Sequence, residues 1–259
     1  MSILTAITRA PGPELGRCEL THLARQPIDF DRALAQHQGY QAALHEAGCH
    51  VVELPSDPAH PDGIFVEDVA LVLDEIAVLL SPAPPSRRGE RASIEAAIAP
   101  FLPLVRLPSE ASIEGGDVLR VGRTLYVGQS SRTGLDGLRA LEECVRRYGY
   151  DVVPVRVHGC LHLKSACCAL DDETLLLNRD WVETAPFSGM RLIDVPESEP
   201  YGSNVLRLPG TVLVSAAYPA TATRIRSLGY RVVPVDVSEL HKAESGVTCM
   251  SLPLARSLE

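Results

Sequence analysis

The sequence predicts an α/β propeller of five repeated units closed into a ring. Three observations carry that prediction: a short glycine-then-apolar motif recurs along the chain, helical patterns precede several copies, and an isolated polar segment follows each one. The motif reads Gly48-Cys-His-Val-Val, Gly149-Tyr-Asp-Val-Val, Gly189-Met-Arg-Leu-Ile and Gly229-Tyr-Arg-Val-Val, with a fifth copy, Phe101-Leu-Pro-Leu-Val, lacking only the glycine. The copies start at 48, 101, 149, 189 and 229, a spacing that suits one supersecondary unit each.

In chain order, apolar residues at three-to-four spacing (Ala33, His37, Tyr40, Leu44, Ala47) predict a helix closed by Gly48. Leu138, Leu141, Val145 and Tyr148 do the same before Gly149, and Ile225 and Leu228 before Gly229. A glycine just past a helix supplies the left-handed conformation at little steric cost. The β-branched pairs that follow, Val51-Val52, Val152-Val153 and Val232-Val233, predict buried strands. Further strands are expected within Val69 to Leu80, Val118 to Val127, Thr174 to Leu177 and Thr211 to Ser215, giving one helix per strand-rich unit. With no separate linker between units, ring closure and one domain over residues 1–259 are expected. An open doubly wound sheet would call for a glycine-rich phosphate loop, and neither Gly12-Pro-Glu-Leu-Gly16 nor Glu114-Gly-Gly-Asp117 has that spacing.

Composition narrows the function. A hydrophobic content of 46% supports a packed core, and a net charge of −9 favours cationic ligands over nucleic acid or anionic lipid. No apolar stretch approaches the roughly 20 residues of a membrane span, so a soluble, cytoplasmic protein is expected. Seven cysteines without paired spacing fit reduced thiols, most of them small buried hydrophobes such as Cys144, Cys167 and Cys168. Cys160, His162, Cys167 and Cys168 do not have the usual zinc spacings; neither metal nor cofactor is expected.

The segments after each repeat are Phe65-Val-Glu-Asp68, Ile113-Glu-Gly-Gly-Asp117, Leu161-His-Leu-Lys164, Ser203-Asn204 and Gly246-Val-Thr-Cys249. Equivalent positions in a closed ring face a common axis, which would collect Asp68, Glu114, His162, Asn204 and Cys249: a nucleophile, an acid/base partner and carboxylates. Taken singly, the acidic residues read as solvated, Gly115-Gly116 as a turn and His162 as structural; their repeat-equivalent placement is what favours function.

At these residues the sequence resembles the dimethylarginine dimethylaminohydrolases of the guanidino-group-modifying (pentein) superfamily. The resemblance runs through nearly the whole chain. It is carried by Pro61-Asp-Gly-Ile-Phe-Val-Glu-Asp68, Pro85-Ser-Arg-Arg-Gly-Glu90, Glu114-Gly-Gly-Asp-Val118, Arg132-Thr133, Leu161-His-Leu-Lys-Ser165 and Val247-Thr-Cys-Met-Ser251. It implies a five-fold pseudosymmetric α/β propeller that hydrolyses methylated arginines, asymmetric dimethylarginine and monomethylarginine, to citrulline and an amine. Cys249 is implied as nucleophile, His162 as general acid/base, and Glu114 and Asp68 as guanidinium ligands. Arg87 and Arg132 are implied for the α-carboxylate and Asp62 for the ammonium group, with Phe65 and Glu67 of the same motif in the substrate-binding set.

Positions 18 and 243 align with the lid and the loop before the nucleophile. They hold Cys18 and Ala243 where the family usually has larger apolar residues, leaving backbone carbonyl contacts as their implied role and Cys18 as a second accessible thiol. His241 lies in the same loop.

Two other readings compete. Arginine and agmatine deiminases share this chemistry but usually place an aspartate two residues after the histidine, where this chain has Lys164. A non-catalytic propeller resembling ribosome anti-association factors would not require both His162 and Cys249. The expected partner is a small guanidino amino acid, with a homodimer also open.

Overall fold

A computed structural model describes residues 2–257, with side chains described for residues 4–254. Its strands form five sheets of three, each built to one plan. In the second blade, β3 (Ala70–Val72) runs antiparallel to β4 (Ala77–Leu79), which pairs in parallel with β5 (Leu104–Arg106). The third blade repeats this with β6 (Val118–Val121), β7 (Thr124–Gln129) and β8 (Asp151–Arg156). The fourth uses β9 (Cys167–Ala169), β10 (Thr174–Leu177) and β11 (Arg191–Asp194); the fifth uses β12 (Val205–Leu208), β13 (Thr211–Ser215) and β14 (Val232–Val235). The first blade takes its strands from both ends of the described chain. There β1 (Ser2–Arg9) pairs in parallel with β2 (Cys49–Leu54) and antiparallel with β15 (Leu252–Ser257).

A parallel pair needs a crossover, and helices supply four of the five. These are α1 (Phe30–Glu46), α2 (Arg91–Ile98), α3 (Leu135–Val145) and, in the fifth blade, Pro219–Ser227. The repeat glycines act as expected: Gly48, Gly149, Gly189 and Gly229 all have positive φ, between +77° and +96°. One helix per unit is not what forms, however. The fourth crossover holds only a 3-10 turn, Ala185–Phe187. The expected strands within Val69 to Leu80 and Val118 to Val127 are each a hairpin, broken at Asp74-Glu75 and at Gly122.

Side chains alternate across every blade, and both faces are buried. Residues on one face pack against the preceding blade and those on the other against the next. In β10, Leu175 and Leu177 join a cluster with Tyr126 and Val155 of the third blade, whereas Leu176 joins Val212 and Val214 of the fifth. Five such clusters fill the gaps between neighbouring blades. The last closes the ring, joining Leu206, Leu208 and Leu213 to Ala6, Tyr40 and Leu44. An axial channel remains, lined by Ala70, Val118, Cys168, Val205 and Leu252, one inner strand from each sheet. The five polar segments immediately precede these inner strands, so the fold brings them to one end of the axis.

Candidate active site

At that end lies a cleft of about 320 Å³. Asp62, Phe65, Asp68, Arg87, Arg132, His162, Ala243 and Cys249, all expected from sequence, line it together with Glu19, Leu161, Glu244 and Ser245.

Asp68 is carried on a 3-10 turn, Val66–Val69, and Glu114 precedes a second, Gly115–Asp117. His162 leads into the short helix Leu163–Ala166. One ligand atom from each of these three residues falls within 4.8 Å of the other two. His162 Nε2 lies 2.7 Å from a Glu114 carboxylate oxygen. Asp68 accepts the Gly116 N–H at 3.1 Å and an Arg87 N–H at 2.9 Å. Arg87 also forks onto Glu90 with two 3.0 Å bonds, and Arg132 stands 3.5 Å from Glu114. Every one of these side chains is buried, so their charges act through little screening water.

Titration behaviour follows. Burial alone would strip His162 of its proton, but Asp68, Glu114 and Asp117 surround it and hold its pKa up at about 9. Burial opposes the charged form of Asp68 as well, yet His162 and Arg87 keep it below the usual carboxylate range. For Cys249, burial and then the charges of Glu67 and Asp68 push the thiol up to about 12. At neutral pH an imidazolium and a neutral thiol therefore line the same cleft. The Gly246 N–H points at Cys249 Sγ from 3.3 Å, a donor available to a thiolate.

Gly115 and Gly116 form a 3-10 turn and are fixed by distance. A Cβ on Gly115 would sit 1.9 Å from the Glu67 carbonyl oxygen, and one on Gly116 would sit 2.5 Å from His162 Nδ1. Only glycine lets the two segments approach this closely.

Other expected residues fall elsewhere. Glu67 turns to the rear, where it binds the Lys164 ammonium and lines the axial channel. Lys164 thus projects its charge away from the cleft. Asn204 lines a neighbouring pocket and bonds to Thr248 rather than facing Cys249. His241 belongs to that same pocket, stacked on Tyr218 at 5.7 Å. Cys18 is not an accessible thiol: its side chain is only 1% exposed in the core beside Leu15 and Phe65, and burial raises its pKa to about 11. Its carbonyl accepts an Arg25 N–H at 2.6 Å, and the next residue, Glu19, reaches the cleft. Cys167 and Cys168 pack on opposite faces of β9, so the zinc cluster drawn from sequence spacing cannot converge.

Glu19, Glu244 and Ser245 were not expected. They lie in irregular loops with no periodic pattern; the N–H groups of Thr21, His22 and Leu23 on the Glu244 carboxylate bring the two loops together, and the Glu19 N–H binds Asp62. The single available signal was the polar run Lys242-Ala-Glu-Ser-Gly246 just ahead of the cysteine.

Residues 182–256 match the family model for arginine deiminase. Over far more of the chain, N(G),N(G)-dimethylarginine dimethylaminohydrolase of Pseudomonas aeruginosa is 36% identical across 234 residues, covering 90% of this chain and 91% of that one. The enzyme of the same name from Streptomyces coelicolor is 38% identical across 253 residues, covering 96% of each. A structure of the Pseudomonas aeruginosa protein, a cysteine-to-serine mutant complexed with citrulline, superposes with a TM-score of 0.92 at 34% identity, covering 96% of this chain and 98% of that one. With 36% and 38% identity over nine-tenths or more of two such enzymes, the chain belongs to the dimethylarginine dimethylaminohydrolase family.

Proposed function

We propose that the chain hydrolyses Nω-methylated arginines to citrulline and methylamine or dimethylamine through a covalent cysteine intermediate. One observation carries this reading: the Cys249 thiol, the His162 imidazole and the buried carboxylates of Asp62 and Asp68 line a single cleft, with buried Glu114 hydrogen-bonded to His162, and these acidic side chains suit a planar cation. Asp68 and Glu114 accept the guanidinium N–H groups and fix its plane. Arg87 and Arg132 hold the α-carboxylate, and Asp62 the ammonium. A resonance-stabilised guanidinium is a poor electrophile, so a thiolate must form beside it. The bound cation itself favours that ionisation, offsetting the burial and the neighbouring carboxylates that keep Cys249 protonated.

Cys249 Sγ then attacks the central carbon. His162, charged at neutral pH, gives its proton to the substituted nitrogen, and the amine departs. The imidazole left behind takes a proton from water, hydroxide adds to the thiouronium carbon, and collapse expels sulfur and leaves citrulline.

Selectivity for methylated substrates follows from position 164. Deiminases usually add a carboxylate there; this chain has Lys164, with its charge on Glu67. Unsubstituted arginine leaves N–H donors unpaired where methyl groups fit, at roughly 1.5–3 kcal/mol for each lost bond to a charged group. The decisive assay measures citrulline from asymmetric dimethylarginine, arginine and agmatine side by side. A kcat/KM at least tenfold higher for the dimethylated substrate is expected, and turnover is abolished in Cys249→Ser. A preference for arginine would return the chain to the deiminase reading.

A further inference from the structure

The thiol proton has to leave Cys249 while a cationic substrate fills the cleft, and the residues behind the nucleophile form a hydrogen-bonded path away from it. We propose that Thr248 and Glu67 form a rear proton relay, carrying the Cys249 proton toward the axial channel and returning it at the end of each cycle. The proposal rests on Cys249 being the nucleophile and goes beyond that reading by assigning the route of its proton.

The direction of the relay is set by the amide of Asn204. Its Oδ1 accepts the Thr248 N–H at 3.2 Å, which leaves Nδ2 as the atom facing the Thr248 hydroxyl at 3.1 Å. That Nδ2 also donates to the Lys164 carbonyl at 2.9 Å, confirming its orientation. The hydroxyl oxygen therefore accepts from Asn204, and its own proton points to Glu67 Oε2, 2.7 Å away. Its remaining lone pair is available to Cys249 Sγ at 4.0 Å, the outer limit for a sulfur hydrogen bond. Glu67 lines both this junction and the axial channel, where Lys164 holds it as a carboxylate able to accept a proton. Burial makes it a stronger base than an exposed glutamate, consistent with that task.

The protons balance. The S–H bond breaks with its electron pair kept by sulfur; its proton passes to Thr248 Oγ1 as the threonine proton passes to Glu67. His162 supplies the proton for the departing amine and regains one from water. When the second tetrahedral species collapses, sulfur leaves as thiolate and Glu67 returns the stored proton through Thr248. The hydroxyl proton of the product passes to solvent, where the released amine takes it up.

The test uses Thr248→Val, Thr248→Ser and Glu67→Gln of the whole chain, each checked by thermal melt. With asymmetric dimethylarginine, Thr248→Val should lose at least tenfold in kcat with KM within threefold, and Thr248→Ser should restore most of that loss. Glu67→Gln keeps the hydroxyl's acceptor but cannot take the proton, so it should fall as far as Thr248→Val. If Glu67→Gln does not fold, the paired Glu67→Gln/Lys164→Gln variant removes the buried ion pair together and is expected to behave alike. Alkylation of Cys249 by iodoacetamide supplies a readout that needs no substrate: its rate at pH 8 should drop at least fivefold in Thr248→Val and recover in Thr248→Ser. Wild-type kcat in Thr248→Val, or in both acceptor variants, overturns the relay. Failure of the wild type to make citrulline while the alkylation pattern holds would instead overturn the substrate assignment and leave the relay standing.

Discussion

At the scale of single residues, the site depends on side chains that are absent as much as on those present. Gly116 lets His162 approach until a Cβ would lie 2.5 Å from Nδ1, and its N–H holds Asp68 at 3.1 Å. From sequence, Gly115-Gly116 reads equally as a turn, since the contact that demands glycine comes from position 162 on another blade. Cys249, His162, Glu114 and Asp68 were legible because a chemistry-bearing residue recurs at the same place in each repeat. The orientations of Glu67 and Lys164 were not: which end of the axis a side chain faces depends on the turn that carries it. Gly116→Ala should lower kcat for asymmetric dimethylarginine at least tenfold by displacing His162, with a stability loss of about 1–3 kcal/mol for the overpacked contact. Steady-state kinetics beside a thermal melt checks this, and an unchanged kcat would show that His162 tolerates the shift.

Among the elements, the loop between β1 and α1 is tied to the loop ahead of the nucleophile by one carboxylate. Glu244, a non-glycine residue at φ +58°, accepts the Thr21 N–H at 3.0 Å and the neighbouring N–H groups of His22 and Leu23. Three successive N–H groups on one anion form a nest, and holding it outweighs the cost of the left-handed backbone. Glu244→Ala should therefore raise KM several-fold and quicken proteolysis between residues 18 and 25, while the melting temperature stays within a few degrees. Proteolysis at the wild-type rate would remove Glu244 from control of this loop. Neither the nest nor the loop it organises has a periodic signature, so both were invisible in sequence. The repeat glycines and long amphipathic helices were visible for the opposite reason. The inner strand of the fourth blade was not: Cys167–Ala169 is three residues buried on both faces and shows no polar alternation. The fourth crossover misled because helical patterns before three of the other copies were extended to a unit that forms only a 3-10 turn.

For the whole molecule, closure of the ring by β1 and β15 removes the free inner edge that an open array would expose, and it leaves most of the cysteines between blades. Burial raises the pKa of each thiol from an ordinary value near 9: Cys18 to about 11, and Cys160, Cys168 and Cys249 to about 12. His162 is raised too, from 6.5 to about 9, because three carboxylates outweigh its desolvation. The signs agree. A group whose folded pKa lies above its unfolded value stabilises the fold fully below the unfolded value, and that contribution fades as pH climbs to the folded one. His162 thus contributes roughly 3 kcal/mol below pH 6.5, lost progressively by about pH 9. The thiols begin only above pH 9, where the unfolded chain ionises and the folded chain does not, so several act together and the decline steepens. Thermal melts under reducing conditions should show a maximum near pH 6.5, a fall on the acid side because burial keeps His37 neutral down to about pH 4 while the unfolded chain protonates it, a one-proton decline to pH 9 and a steeper fall beyond. In His162→Ala, the one-proton decline should vanish while the steeper fall stays, at a lower overall melting temperature because Asp68 and Glu114 lose their neighbouring cation. A wild-type melting temperature that holds constant from pH 6.5 to 9 would mean that His162 is not held as an imidazolium, and would remove the proton that the departing amine needs.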